Sequence, residues 1–238
     1  KEGHTEIVQL LLDRGVDVNV ATNGEIPLLA ASKEGHTEIV QLLLDRGAYV
    51  NVATYNGETP LWIASKEGHT EIVQLLLGRG AGVDIEHFGV TPLWIASQNG
   101  CTEIVQLLLD RGAGVDVPRC GITPLWIASK EGHTEIVQLL LSAGANKTKK
   151  CLGGVFKGKT PLAIAKRNGH IECIELLKSH SQHVRELFTR ARVMPNTNYR
   201  PLPIEFQMHP DKASEIRMGL RNLLNRINTS RQSLTSMI

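Results

Sequence analysis

Apolar residues recur along the chain in paired short blocks. In the block opening at Pro60, Leu61, Trp62, Ile63 and Ala64 are apolar and Lys66 and Glu67 are charged. In the next block, Ile72, Val73, Leu76 and Leu77 return at the i, i+1, i+4, i+5 spacing of one helix face, with Glu71 and Gln74 on the wet side. The pair then repeats. The string Lys33–Leu44 recurs unchanged at Lys66–Leu77 and Lys130–Leu141, and with Gln98, Asn99 and Cys101 substituted at Gln98–Leu109. The chain opens on the same string at Lys1, and a looser copy runs from Arg167 to Leu177. Prolines at 27, 60, 92, 124 and 161, spaced 33, 32, 32 and 37, mark five units after a leading half unit.

Local chemistry makes each unit two short helices. Thr59 suits an N-cap and Pro60 the first helical position, where a missing N–H has no consequence. Gly68 suits the turn that follows. Thr70-Glu71 opens the second helix with a carboxylate near its positive end, and Gly80 suits a left-handed cap at its close. An extended finger then leads to the next proline through Asn23-Gly24, Asn56-Gly57, Phe88-Gly89 or Cys120-Gly121. Asn-Gly favours the tight primed hairpin turn. One such unit cannot bury its apolar face alone, so the units must stack. The fold class expected is an all-α repeat solenoid.

The run Gly57–Leu77 with Gly80-Ala81, including Thr59-Pro60-Leu61, Gly68-His69 and Ile72-Val73, resembles the ankyrin repeat in nearly every constant position. The resemblance covers about residues 1–178: a half repeat at 1–15, then units at about 16–47, 48–80, 81–112, 113–144 and 145–178. It departs from the family where Trp62, Trp94, Trp126, Leu29 and Ala163 stand in place of a histidine. Three fingers are one residue short, and the last, from Gly144 to Pro161, is longer and carries Lys147, Lys149, Lys150, Lys157 and Lys159. That loop is expected to project and to be mobile. The half unit also suggests that Lys1 is a fragment boundary.

The resemblance implies binding of a partner protein through finger tips and the exposed ends of first helices on a concave face. By position these are Thr22, Asn23, Tyr55, Asn56, His87, Phe88, Arg119 and Cys120 at the tips. On the first helices they are Lys33, Glu34, Lys66, Glu67, Gln98, Asn99, Lys130 and Glu131. Within this one chain the helical strings barely change while the tips differ, as expected if tips select the partner.

Chemistry-bearing residues give little else. His36, His69, His133 and His170 hold one position per unit, so stacking sets them about 10 Å apart, too far to share a zinc with ligands at ~2 Å. They read as turn-stabilising residues, and Cys101 as a tolerated replacement. The Trp62, Trp94 and Trp126 row reads as packing between units, with a stacking ladder for a ligand as its alternative. Ser65, Ser97 and Ser129 sit on helices, not on a nucleophile elbow. Gly153-Gly154 is an isolated loop pair. The expectation is a non-enzyme with no cofactor and no metal.

Aromatics are 4% of residues, so the core must be aliphatic. The four cysteines show no C-x-x-C spacing, and no run approaches the roughly 20 apolar residues of a membrane span. A cytoplasmic monomer is expected, the nucleus remaining open. The formal charge of +2 conceals an asymmetry. Residues 1–146 hold 9 Lys and Arg against 18 Asp and Glu, net −9; residues 147–238 hold 17 against 6, net +11. This contrast points either to an acidic or polyanionic partner or to attraction within the molecule.

Beyond Lys178 the repeat ends. Residues 179–210 read as a capping helix, with Val184, Leu187 and Phe188, and a linker holding four prolines. Residues 211–238 read as a basic amphipathic helix with a polar, disordered end. Ile216, Leu220, Leu223, Leu224 and Ile227 share one face, flanked by Arg217, Arg221 and Arg226. This helix would pack on the acidic array, dock on a partner or membrane surface, or stay unordered. No SOCS box or F-box stands out, so a ubiquitin-ligase substrate receptor is the lesser reading. Nucleic-acid binding is disfavoured by the acidic body and scarce aromatics.

Overall fold

The computed structural model describes residues 4–21 and 26–179; the segments expected to form the capping helix, the linker and the basic C-terminal helix lie outside them beyond residue 179, as do Thr22 and Asn23. The described chain is a stack of helix pairs. A lone helix α1 (Thr5–Asp13) is followed by α2 (Pro27–Glu34) with α3 (Thr37–Asp45), and α4 (Pro60–Glu67) with α5 (Thr70–Gly78). Then come α6 (Pro92–Asn99) with α7 (Thr102–Asp110), and α8 (Pro124–Glu131) with α9 (Thr134–Ser142). The last pair is α10 (Pro161–Asn168) with a helix α11 over 171–179. First helices pack in one row, α2 through α10, and second helices in another. The described array is all-α: its extended fingers form two isolated bridges, His87 with Val90 and Arg119 with Ile122.

The start and stop signals behave as their chemistry requires. Thr59, Thr91, Thr123 and Thr160 each accept the backbone N–H three residues on, at 3.1–3.2 Å, with proline in the first helical turn. This satisfies one of the orphan donors at the helix start. Each first helix of these units closes on a left-handed glycine, such as Gly68 at φ 83°. The Leu-rich stripes meet in one aliphatic core that runs the length of the stack, with Leu43, Leu76, Leu108 and Leu140 each at most 1% exposed.

Three ladders pin unit to unit. The first joins the loops after the second helices: Asn19 and Asn51 accept from the Tyr49 and Gly82 N–H groups, and Asp84 and Asp116 from those of Gly114 and Asn146. The second runs along the second helices. Asp13 pairs with Arg46 at 2.8 Å and Asp45 with Arg79 at 2.6 Å; the next carboxylate position is Gly78, so Arg111 has no such pair. Gln41 and Arg79 hold the Asp45 carboxyl below its ordinary range, as Gln9 and Arg46 do for Asp13.

The third ladder explains the histidines. His69, His133 and His170 each donate from Nε2 to the carbonyl of Lys33, Gln98 or Lys130 in the preceding unit, at 2.9–3.0 Å. The ring lies over a glycine: a Cβ at Gly35 would fall 2.7 Å from His69 Cε1. Cys101 cannot make this bond, and burial raises its thiol pKa. Asn99 replaces the missing donor, its Nδ2 reaching the Lys66 carbonyl at 2.8 Å. The substitutions at 99 and 101 therefore compensate one another.

Candidate interaction surface

The fingers rise beside the first helices, and their tips are where the units differ. Two turn geometries occur. Phe88-Gly89 and Cys120-Gly121 carry positive φ at both residues, 48° and 74°, then 49° and 81°. That is the tight two-residue primed turn. The Asn56-Gly57 turn expected to match them does not. Gly57 alone is left-handed there, at 87°, and Thr54 pairs with Glu58 across a three-residue loop. The finger spacing is the reason. The unit with the 33-residue proline spacing has its extra residue at the tip, and a three-residue hairpin closes on a type I turn followed by a left-handed glycine. The shorter fingers lack that residue and must turn in two.

The consequence is that Phe88 and Cys120 occupy backbone that L-residues avoid, at a cost of about 1–2 kcal/mol each. Phe88 is 71% exposed and Tyr55 95% exposed. Neither ring is held in the core. Phe88 leans on the His87 ring at a centroid distance of 4.6 Å, while His87 itself is fastened, donating from Nδ1 to the Asn56 carbonyl at 2.9 Å and stacking on Trp62 at 4.4 Å.

The tryptophan row is packing. Trp62, Trp94 and Trp126 are 5%, 3% and 1% exposed, in a second core beneath the fingers with Leu29, Val90, Cys151 and Ile164. Trp94 Nε1 donates to the Ile122 carbonyl and Trp126 Nε1 to that of Lys159, each in the following finger. Trp62 Nε1 is buried without a partner among the described residues. What these rings offer outward is a seat for cations. Lys66 lies 5.8 Å above Trp62 and Arg119 5.5 Å above Trp94. The serines are structural too: Ser65, Ser97 and Ser129 are buried and donate to the carbonyl four residues back at 2.7 Å.

The helix-end residues named from sequence are brought to one side but serve different ends. Lys33, Glu34 and Glu67 are exposed, with Glu67 3.2 Å from Lys66 and Glu131 2.5 Å from Lys130. Asn99, Gln98 and Lys130 also hold the histidine ladder through a side chain or a carbonyl. On the opposite row Glu38, Glu71, Glu103 and Glu135 are exposed, one per unit. One exposed glutamate per unit thus lines the second helices, while cations crowd the last finger at Lys147, Lys149, Lys150, Lys157 and Lys159.

The long last finger is not an open loop. Cys151 N–H bonds the Lys159 carbonyl, Gly158 N–H bonds the Cys151 carbonyl, and a single 3-10 turn spans Gly154–Phe156. Buried Cys151 and half-buried Phe156, whose ring lies 5.5 Å from Trp126, tie this knob to the core. The expected mobile projection is instead a closed, anchored one, because the inserted residues include an aromatic that the tryptophan core can hold. On its outside Leu152 is 73% and Val155 89% exposed. Those two, and Arg167 stacked at 4.9 Å over Phe156, escaped the sequence reading. The absence of any carboxylate between Glu135 and Glu172 marks the charge of this stretch, but no local signal marks these three positions.

Among the described residues no group of three or more His, Cys, Asp or Glu could hold a metal ion, and no helix is long and apolar enough to cross a membrane. The profile for ankyrin repeats in three copies matches residues 1–87 and 80–151, and the single ankyrin-repeat profile matches residues 157–185. The chain belongs to the ankyrin-repeat family, whose repeats are generally protein–protein interaction modules and typically non-catalytic. No curated protein matches it.

Proposed function

We propose that this chain is a non-catalytic scaffold of the cytoplasm, monomeric by itself, that holds a partner protein against its fingers and first helices. The observation that carries this reading is the exposure of Tyr55 and Phe88 on tips that differ from unit to unit, over a scaffold that hardly varies. Phe88 adds weight: it is an aromatic held in strained backbone, left mostly in water and outside both cores of the array. Aromatic side chains on rigid supports make effective anchors, since little rotamer freedom is lost on binding. An adaptor role or a membrane tether through Arg217, Arg221 and Arg226 is the second use to which such a scaffold lends itself, and the basic character of residues 147–238 favours it.

The test compares proteins cross-linked to the intact chain with those cross-linked to Tyr55→Ala/Phe88→Ala and to Glu71→Ala/Glu103→Ala on the opposite row. A partner lost from the finger variant and kept by the second-helix variant supports the reading. A partner lost only from the second-helix variant overturns it.

A further inference from the structure

The knob of the last finger carries its own chemistry. From residue 136 to residue 171 the chain holds seven cations and no carboxylate. Two of them have internal work: Lys149 Nζ donates to the Asp116 carbonyl, and Lys147 to that of Leu177. Lys150, Lys157, Lys159, Lys166 and Arg167 are exposed, and no carboxylate among the described residues pairs with them. Elsewhere in the array several cations have such neighbours: Lys66 has Glu67, Lys130 has Glu131, Arg46 has Asp13 and Arg79 has Asp45. Unpaired like charges crowd one another, and an opposite charge relieves them.

These cations surround an apolar surface. Leu152 and Val155 are exposed on the knob. Leu152 also lies against the neighbouring tip: a Cβ on Gly121 would sit 2.6 Å from Leu152 Cβ. The apolar patch therefore continues to the Arg119–Gly121 turn, with Arg119 over Trp94 on one side and Arg167 over Phe156 on the other. Both guanidinium groups are seated on rings, so their planes are set before any partner arrives and less freedom is lost on pairing.

We propose that this knob, together with Arg119 and Arg167, selects an acidic peptide segment of the partner that also bears a large apolar side chain. Carboxylates pair with Lys150, Lys157, Lys159 and the two arginines, and the apolar side chain covers Leu152 and Val155. Bare phosphate chains match the charge but leave the apolar patch in water, so nucleic acid fits less well. The inference rests on the protein-binding reading and names the chemistry of its partner.

The test is selection from a random peptide library displayed on phage, using the full chain as bait. Selected peptides are expected to be enriched in Asp and Glu around a Leu, Phe or Trp. A fluorescent copy of the top peptide should lose about tenfold or more in affinity to Lys150→Glu/Lys157→Glu/Lys159→Glu. It should also lose affinity to Leu152→Ser/Val155→Ser, and weaken with salt. Arg14→Glu, at the other end of the array, should leave it unchanged. Peptides without acidic enrichment that are lost in Tyr55→Ala/Phe88→Ala would overturn this inference and leave the protein-binding reading standing. Failure to select any peptide, or tighter binding of a single-stranded oligonucleotide of equal length that depends on the same lysines, would overturn the inference also.

Discussion

Asn99→Ala should weaken the array, and the reason lies in a single carbonyl. The Lys66 carbonyl is among the last of its helix and has no partner within it. Asn99 Nδ2 reaches it at 2.8 Å, where the equivalent Lys33 and Gln98 carbonyls are served by His69 and His133. Loss of one such bond is worth about 0.5–1.5 kcal/mol, and this one sits at the lower end since Asn99 is exposed and water can replace it. Asn168→Ala is the internal control. Asn168 Nδ2 bonds the Lys130 carbonyl at 2.8 Å, but His170 Nε2 bonds the same oxygen at 2.9 Å, so its loss should have less effect. Cys101→His in the Asn99→Ala background should restore the stability, because a Cβ at Gly68 would be 3.6 Å from Cys101 Sγ and the glycine leaves the ring its place. Urea midpoints from far-ultraviolet circular dichroism, run as a double-mutant cycle, read out the coupling. Equal losses in Asn99→Ala and Asn168→Ala, or no rescue by histidine, would refute the compensation.

Three further outcomes follow from the geometry. Phe88→Asn or Phe88→Gly should stabilise the array by about 1 kcal/mol by relieving the left-handed backbone, seen as a higher urea midpoint; an unchanged or lower midpoint would show that the turn is not strained. Gly78→Ala should gain about 0.5 kcal/mol in helix propensity, and Gly78→Asp up to about 1 kcal/mol more by extending the Asp–Arg ladder to Arg111, the second increment vanishing in high salt. Trp126→Phe should cost about 1 kcal/mol more than Trp62→Phe, since the first breaks a bond to the Lys159 carbonyl while the second removes an orphaned buried donor; the reverse order in thermal melts would count against the assigned donors.

Much of the scaffold could be read from the chain because its signals are local and repeated. Thr59-Pro60, Gly68 and Gly80 each act through their own backbone preference, and the Leu76 stripe through a period set by helix geometry. The ladders were less legible. A donor such as His69 and its acceptor at Lys33 lie 36 positions apart, and their meeting depends on how units stack. The turn at Asn56-Gly57 was misread for a related reason. Dipeptide preference favours one turn, but the loop length between paired Thr54 and Glu58 chooses another.

The candidate surface divides the same way. Finger tips were marked by their variation, and the lysines of the last finger by composition. That Leu152 faces water, that Phe156 is drawn to Trp126, and that Arg167 lands on Phe156 depend on side chains from separate units converging. Sequence alone thus settled the helices, their order and their buried stripes, since each follows from near neighbours and one repeated period. Tertiary structure alone decided which charges are paired, which donors are orphaned and which apolar groups remain outside, since those are properties of contact between units distant in the chain.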